Sequence, residues 1–521
     1  MNPSRFSRRL THKCVMFPAW GHEVAPAHRL LYLRYFVIRT FLPAAIAFIS
    51  LATAARAAVP IIGGPTYDAS TMTGYQAYAS PFFFRGDATA FDGFGRATLR
   101  KYAGSATANN VPVQFGNGTF TEFTTPSLPG TSRTNTSVNA SNAAGVAVGT
   151  QSRFDSTGQN PAQQVLRWAS PSQPTVLENG ISGTTVGSSA SGIDPLGTAV
   201  GTSLRFEADS TGFFTSTFSR PVRWSAGTTT ATPLDVSAPG GKTANKNSGD
   251  TAGIDANGTT YGTVYTYAQS SNISGNFGLT AVRWNAGGTA LTELAHAPAP
   301  ANGFVEDTIT RVRPNGFLAG QTEIHSGSPQ TQQIPTRWSP DGSVTLLELP
   351  PDAVASSSLS RIFDLNDSGT AVGRVATKTT GFDGLRPVRW DAGTAAPTML
   401  GLLGTPTDTT SAWALGVNSA GLAVGVQRPN SNSSDGIAVL WGLDGVAVDL
   451  NTLIDPTSGW RLIEADSITD SGYIAGVGMF DPDGTGPTAA YGRSFLIQVP
   501  EPTALAVVGV AALLVKRRRR A

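Results

Sequence analysis

Residues 365–373 read LNDSGTAVG, and residues 387–390 read PVRW. The first string is a polar turn running into a short apolar strand. Asn and Asp close such turns through their side chains, and Gly supplies positive φ. The second is a β-prone run ending in a large aromatic. Both strings recur. A Gly-x-x-x-Gly element begins at Gly145, Gly197, Gly258, Gly316, Gly369, Gly421 and Gly472, in steps of 52, 61, 58, 53, 52 and 51. The second element ends at Trp168, Trp224, Trp284, Trp338, Trp390 and Trp441, and Phe495 stands in the seventh slot. After each Trp comes a turn such as SAGT or DAGT, then another short apolar segment.

These signals predict about four strands per repeat, and no segment of the body shows sustained helical periodicity. Four antiparallel strands in about 50 residues is the size of a propeller blade. The expected fold is therefore all-β, a β-propeller of about seven four-stranded blades over residues 111–498. The alternative is an open β-solenoid, but the uneven repeat spacing suits loops on a propeller rim. Residues 58–110 form a separate strand-rich segment, whose YQAYASPFFF and FGRATLRKY leave an eighth blade open. Phe115 occupies a Trp-like slot, and the strand around Gly118 to Phe123 is expected to pair with the last repeat, Gly472 to Val499, closing the ring.

The repeats resemble the HAF family of extracellular repeats, secreted units of the N-x-x-G-x-A-V-G type. GTAVG at 369 and GLAVG at 421 match best, and GTTYG at 258 departs most. The resemblance implies secretion and carries no activity.

The ends read as addresses. Arg29, Arg34 and Arg39 form a basic region before the apolar run Phe41 to Ala52, and Ala55-Arg56-Ala57 is an A-x-A-like cleavage site. Residues 1–57 thus read as a leader with a signal peptide. At the other end stands Val499-Pro500-Glu501-Pro502, then an apolar run from Ala504 to Val515, then Lys516-Arg517-Arg518-Arg519-Arg520. A basic block resists translocation and stays cytoplasmic, so the apolar run is expected as a short transmembrane helix. Residues 499–521 resemble the PEP-CTERM sorting signal in motif, membrane segment and Arg cluster. That resemblance implies a membrane-bound exosortase as partner. It also implies transient residence in the inner membrane, then a place at the cell surface or outside the cell.

The formal charge of +2 conceals an acidic body. Thirteen of the 37 Lys and Arg lie in the two terminal segments, which leaves the middle near −9. An acidic body argues against nucleic acid as a partner. The single cysteine, Cys14, lies in the leader, so no disulfide is expected in the exported chain.

Little in the body points to catalysis. Its only histidines, His296 and His325, lie in different repeats without an HExxH spacing, and surface loops are their expected setting. The repeat Trp is expected in the core between blades. The preceding Arg167, Arg223, Arg283, Arg337 and Arg389 face the opposite way and are expected to pair with acids or cover a ring. Asp364 to Gly369 and Asp481 to Gly484 begin like calcium loops but lack the closing Glu, and Asx turns explain them. No cofactor is expected. The function predicted is a non-enzymatic binding or structural role in extracellular polymer, with extracellular polysaccharide as the ligand class. The alternative is a secreted polysaccharide-active enzyme.

Overall fold

A computed structural model describes residues 58–499, apart from the segments 78–82, 85–94, 105–107, 117–118, 127–132, 155–161, 182–185, 209–213, 238–242, 268–276, 301–303, 327–330, 354–358, 378–383 and 487. The described residues form eight antiparallel sheets, the blades of a β-propeller. Blade 6 shows the plan: Arg361–Leu365, Ala371–Ala376, Leu385–Trp390 and Pro397–Met399, paired in chain order. First strands of successive blades pack on one another from blade 2 through blade 8, so they form the inner ring.

There are eight blades and not the expected seven; numbered along the chain, the additional one is blade 1, and blade 8 is the sheet that contains Tyr491–Gln498. Thr73–Ala77, Gly95–Ala103, Ala108–Gly116 and Thr119–Glu122 pair in order as a full blade, widened by Tyr67–Asp68 and Phe83–Phe84. This blade lacks a Gly-x-x-x-Gly turn, which is why the repeat count passed over it. Phe115 stands opposite Gly95 in this blade, as Trp390 stands opposite Ala371 in blade 6.

Ring closure is also corrected. Thr119–Glu122 pairs within its own blade, with Ala108–Gly116, and not with the last repeat. The closing strand lies upstream: Ile61–Gly63 pairs with Tyr491–Gln498, with Ile62 opposite Leu496. The Val59 N–H donates to the Leu453 carbonyl at 2.8 Å, and Arg493 Nε donates to the Gly64 carbonyl at 2.8 Å. A shared core of Ala97, Leu99, Val113, Ala475 and Leu496 joins blade 8 to blade 1. The sheet edge that an open array would expose is thereby covered.

The paired glycines have separate physical reasons, seen in blade 6. Gly369 takes φ +87 in the turn between first and second strands, a conformation costly for a residue with a Cβ. Gly373 lies opposite Ile362, beside a bulge in the first strand, and a Cβ there would sit 2.0 Å from the Arg361 carbonyl oxygen. The same bulge recurs in the first strands of blades 2 to 5, 7 and 8.

The Arg-Trp pair joins blades in both directions. All six repeat Trp side chains are fully buried. Each indole N–H donates to a backbone carbonyl just after the fourth strand of the preceding blade. Trp168 reaches Thr124, Trp284 reaches Asp235 and Trp390 reaches Glu348, at 2.8, 2.9 and 2.9 Å. The neighbouring Arg reaches forward. Arg337 donates from Nη1 to the Gly369 carbonyl at 2.6 Å and from Nη2 to the Thr394 carbonyl at 2.9 Å, both in the next blade. Arg167, Arg223 and Arg389 make like contacts with carbonyls of the turns of the next blade. The expected acidic partner occurs at Arg389, whose Nε meets Asp391 at 2.7 Å. Burial lowers the Arg167, Arg223 and Arg337 guanidinium groups from their ordinary value. A guanidinium carries five donors and suits such multiple carbonyl contacts.

Candidate functional site

The recurring Trp and Arg serve the architecture, so chemistry must be sought where the blades differ. The first strand of blade 5, Phe304–Val312, runs antiparallel to Leu318–His325. The turn at Gly316 fixes the register, setting Glu306 opposite Glu323 and Phe304 opposite His325. Three potential ligand atoms converge there, all within 4.8 Å of one another: one each from Glu306, Glu323 and His325. His325 Nε2 lies 2.9 Å from Glu306 Oε2 and 3.8 Å from Glu323 Oε2. The imidazole stacks on Phe304, with centroids 4.1 Å apart and planes 9° apart. Gln333, across the next strand pair, donates from Nε2 to Glu323 Oε1 at 2.7 Å. Its Oε1 is shut off from solvent with no protein partner. Burial pushes the Glu306 carboxyl up; the Glu323 charge adds to this, and the His325 contact and the Leu279 amide oppose it.

His325 thus ends a strand and is not in a surface loop. Sequence distance hid the cluster, because its members span 19 residues across one hairpin. A signal did exist: counting outward from the bulge opposite Gly320 places both pairs. His296 stays apart, with Nδ1 at 2.8 Å from the Ala297 carbonyl and Nε2 at 3.7 Å from Glu293.

A second arrangement runs across blades 6 to 8. The Arg374 guanidinium lies between the rings of Phe363 and Trp413, 5.4 Å from each centroid. Arg428 covers Trp413 at 5.0 Å and pairs with Glu464 at 2.5 Å. Burial, with Arg361 adding, pushes Arg374 down to about 10. Such cation–ring contacts are stabilising, and more so when desolvated.

Asp466 is the bulged residue beside Glu464, and its Oδ2 is sealed from solvent without a partner. Burial pushes its carboxyl well above the usual carboxylate range, and the Glu464 charge pushes it further. A carboxyl raised on folding binds its proton more tightly in the folded state. Its stabilising contribution is present at acid pH and is lost as pH rises through the folded value. Asp466→Asn should therefore stabilise the chain more at pH 8 than at pH 4, with a gain on the order of 1 kcal/mol at pH 8. Thermal unfolding of both proteins across that range checks this, and a pH-independent difference would refute it.

In the loops that resemble calcium sites, side-chain oxygens accept hydrogen bonds from backbone amides. Asn366 Oδ1 accepts from the Ser368 and Thr370 amides at 3.1 and 2.9 Å, and Asp481 Oδ1 accepts from the Gly484 amide at 2.9 Å. Of the expected sorting motif, Val499 is described: its N–H donates to the Gly472 carbonyl at 2.9 Å. Pro500, Glu501, Pro502, the apolar run, the block Lys516 to Arg520 and the cleavage residues Ala55 and Ala57 lie outside the described residues. Among the described residues no helix is long and apolar enough to cross a membrane.

The sequence matches no family model and no curated protein. Solved structures are similar at low identity. A phage phi92 endosialidase is 12% identical, with 85% of this chain and 70% of that one covered and a TM-score of 0.31. Prolyl oligopeptidase B from Galerina marginata is 9% identical, with 89% and 58% covered and a TM-score of 0.40. Aleuria aurantia lectin is 12% identical, with 64% and 98% covered and a TM-score of 0.26. Likeness at this level carries no argument about chemistry.

Proposed function

We propose that this chain is an exported cell-surface or extracellular-matrix protein, sorted by an exosortase, whose propeller serves as a non-enzymatic binding or structural module in extracellular polymer. The observation that carries this reading is the order of motif, apolar run and basic block from Val499 to Arg520. The setting of the motif supports it. The last blade strand ends at Gln498, so the motif follows directly on that strand in the sequence. The repeated Trp and Arg support it as well, since the indole N–H groups and the guanidinium groups of Arg167, Arg223, Arg337 and Arg389 bond to carbonyls of adjacent blades. Extracellular polysaccharide is the ligand class, and the inner membrane is a transient station.

In a host that makes an exosortase, protein recovered outside the cell should lack residues beyond the motif. Intact mass spectrometry reads this directly. Extracellular protein that retains Arg517 to Arg520 would overturn the sorting proposal.

A second reading is a secreted polysaccharide-active enzyme. It is favoured by one observation, the convergence of Glu306 and Glu323 on adjacent strands. Paired carboxylates are the usual equipment of glycoside hydrolysis. Release of reducing ends from the host's own polymer, abolished by Glu306→Gln, would select this reading over the first.

A further inference from the structure

We infer that Glu306, Glu323 and His325 form a binding site for one divalent transition-metal ion of the zinc class. The donor set is one imidazole nitrogen and two carboxylates. Imidazole suits zinc and its neighbours, whereas calcium and magnesium take oxygen ligands. A tetrahedral zinc ion with bonds of about 2.0–2.2 Å sets its donor atoms roughly 3.4 Å apart. The His325 Nε2 separations of 2.9 Å from Glu306 and 3.8 Å from Glu323 bracket that value, and all three donor atoms lie within 4.8 Å of one another. Two carboxylates and a neutral imidazole balance the charge of a dication. Without an ion, two carboxylates share a partly buried corner.

The support around the three donors is of the kind that metal sites need. All three stand on paired strands, not on loops. Phe304 fixes the plane of the imidazole. Gln333 holds the far oxygen of Glu323 and leaves Oε2 toward the cluster. Outer partners of this type orient ligands and commonly account for 10–100-fold in affinity. An independent observation is the sealed, unpartnered Gln333 Oε1. Buried polar atoms are rarely left unmet, and an ordered water held beside the cluster is the kind of donor this oxygen lacks. Three protein ligands leave the ion's fourth position open to water or to an oxygen of an extracellular ligand.

The test uses the full chain, stripped with a chelator and titrated with zinc by calorimetry, and in parallel with cobalt followed by visible absorption. The expected result is one tight zinc site and tetrahedral cobalt bands. Zinc should also raise the unfolding temperature, since a ligand bound only to the folded state stabilises it. His325→Gln and Glu306→Gln should each weaken this site at least 10-fold, and Gln333→Ala by about 10-fold. His296→Gln should leave it unchanged. Where His325→Gln fails to fold, Glu323→Gln with a parental circular-dichroism spectrum takes its place. Zinc binding equal in the parent and in a folded His325→Gln or Glu323→Gln chain would overturn the inference, as would no stoichiometric binding by the parent.

Discussion

Replacing Trp390 with Ala should lower the stability of the folded chain by roughly 3–5 kcal/mol, the range for deleting a large buried aromatic. Two physical losses combine in that figure. The ring is fully buried in a core that includes Ala319 and Leu347 of blade 5 and Ile362, Leu365 and Val388 of its own blade. The cavity would therefore open between blades, where neither sheet can collapse to fill it. The indole N–H also leaves the Glu348 carbonyl without its donor, a loss of about 1–3 kcal/mol where that oxygen stays dry. Trp390→Phe separates the two losses. It keeps most of the packing and drops the hydrogen bond, so its cost should sit near the lower figure. Phe495 already fills the equivalent slot of blade 8 and is fully buried, which shows that an aromatic without a donor is tolerated there. Chemical denaturation of the three proteins checks the order parent, Phe, Ala. Equal midpoints for the Phe and Ala variants would mean that packing contributes little and the interface is looser than described.

Deleting residues 58–64 behind the leader should make the chain aggregate where the parent does not. The deletion removes Ile61–Gly63, the outer strand of blade 8, and exposes the edge of Tyr491–Gln498. It also removes Ile62 from the core that joins blade 8 to blade 1, and the Gly64 carbonyl that Arg493 engages. A long unprotected edge templates pairing with another chain. The residues lost lie far in sequence from the blade they complete, so an open stack, in which each repeat touches only its neighbours, would feel the deletion only locally. Light scattering and thermal unfolding of the variant distinguish the two outcomes.

Much of this architecture is written in the sequence, because its devices are tied to residue type. Only Gly tolerates the turn at Gly369 and the close approach at Gly373, so the Gly-x-x-x-Gly pattern marks each first-to-second strand turn. Only a large aromatic fills the slot at Trp390, so the spacing of Trp marks each third strand. Blade 1 escaped because it uses neither device openly, having Phe115 in the slot and no paired-Gly turn. The closing strand escaped because three residues, Ile61 to Gly63, are too few to show alternation. The Arg partners were illegible for a different reason. They are backbone carbonyls of the following blade, and a carbonyl is the same at every residue. The cluster at Glu306, Glu323 and His325 lay within reach, since the bulge opposite Gly320 fixes the register that assembles it. Sequence distance kept it from view, and the unpaired residue at Thr310, which shifts the count by one, must be allowed for before the pairs line up.

The central structural claim is a ring of eight blades closed by the strand at Ile61–Gly63, and a disulfide trap tests it most directly. Ile62 and Leu496 are paired residues of that closure, and Cys14, in the leader, is the only native cysteine. In a Cys14→Ser background carrying Ile62→Cys and Leu496→Cys, mild oxidation should give a disulfide within one chain, found by peptide mapping in a monomeric product. Two persistent free thiols in the folded protein, or a bridge found only between two chains, would contradict the closed ring.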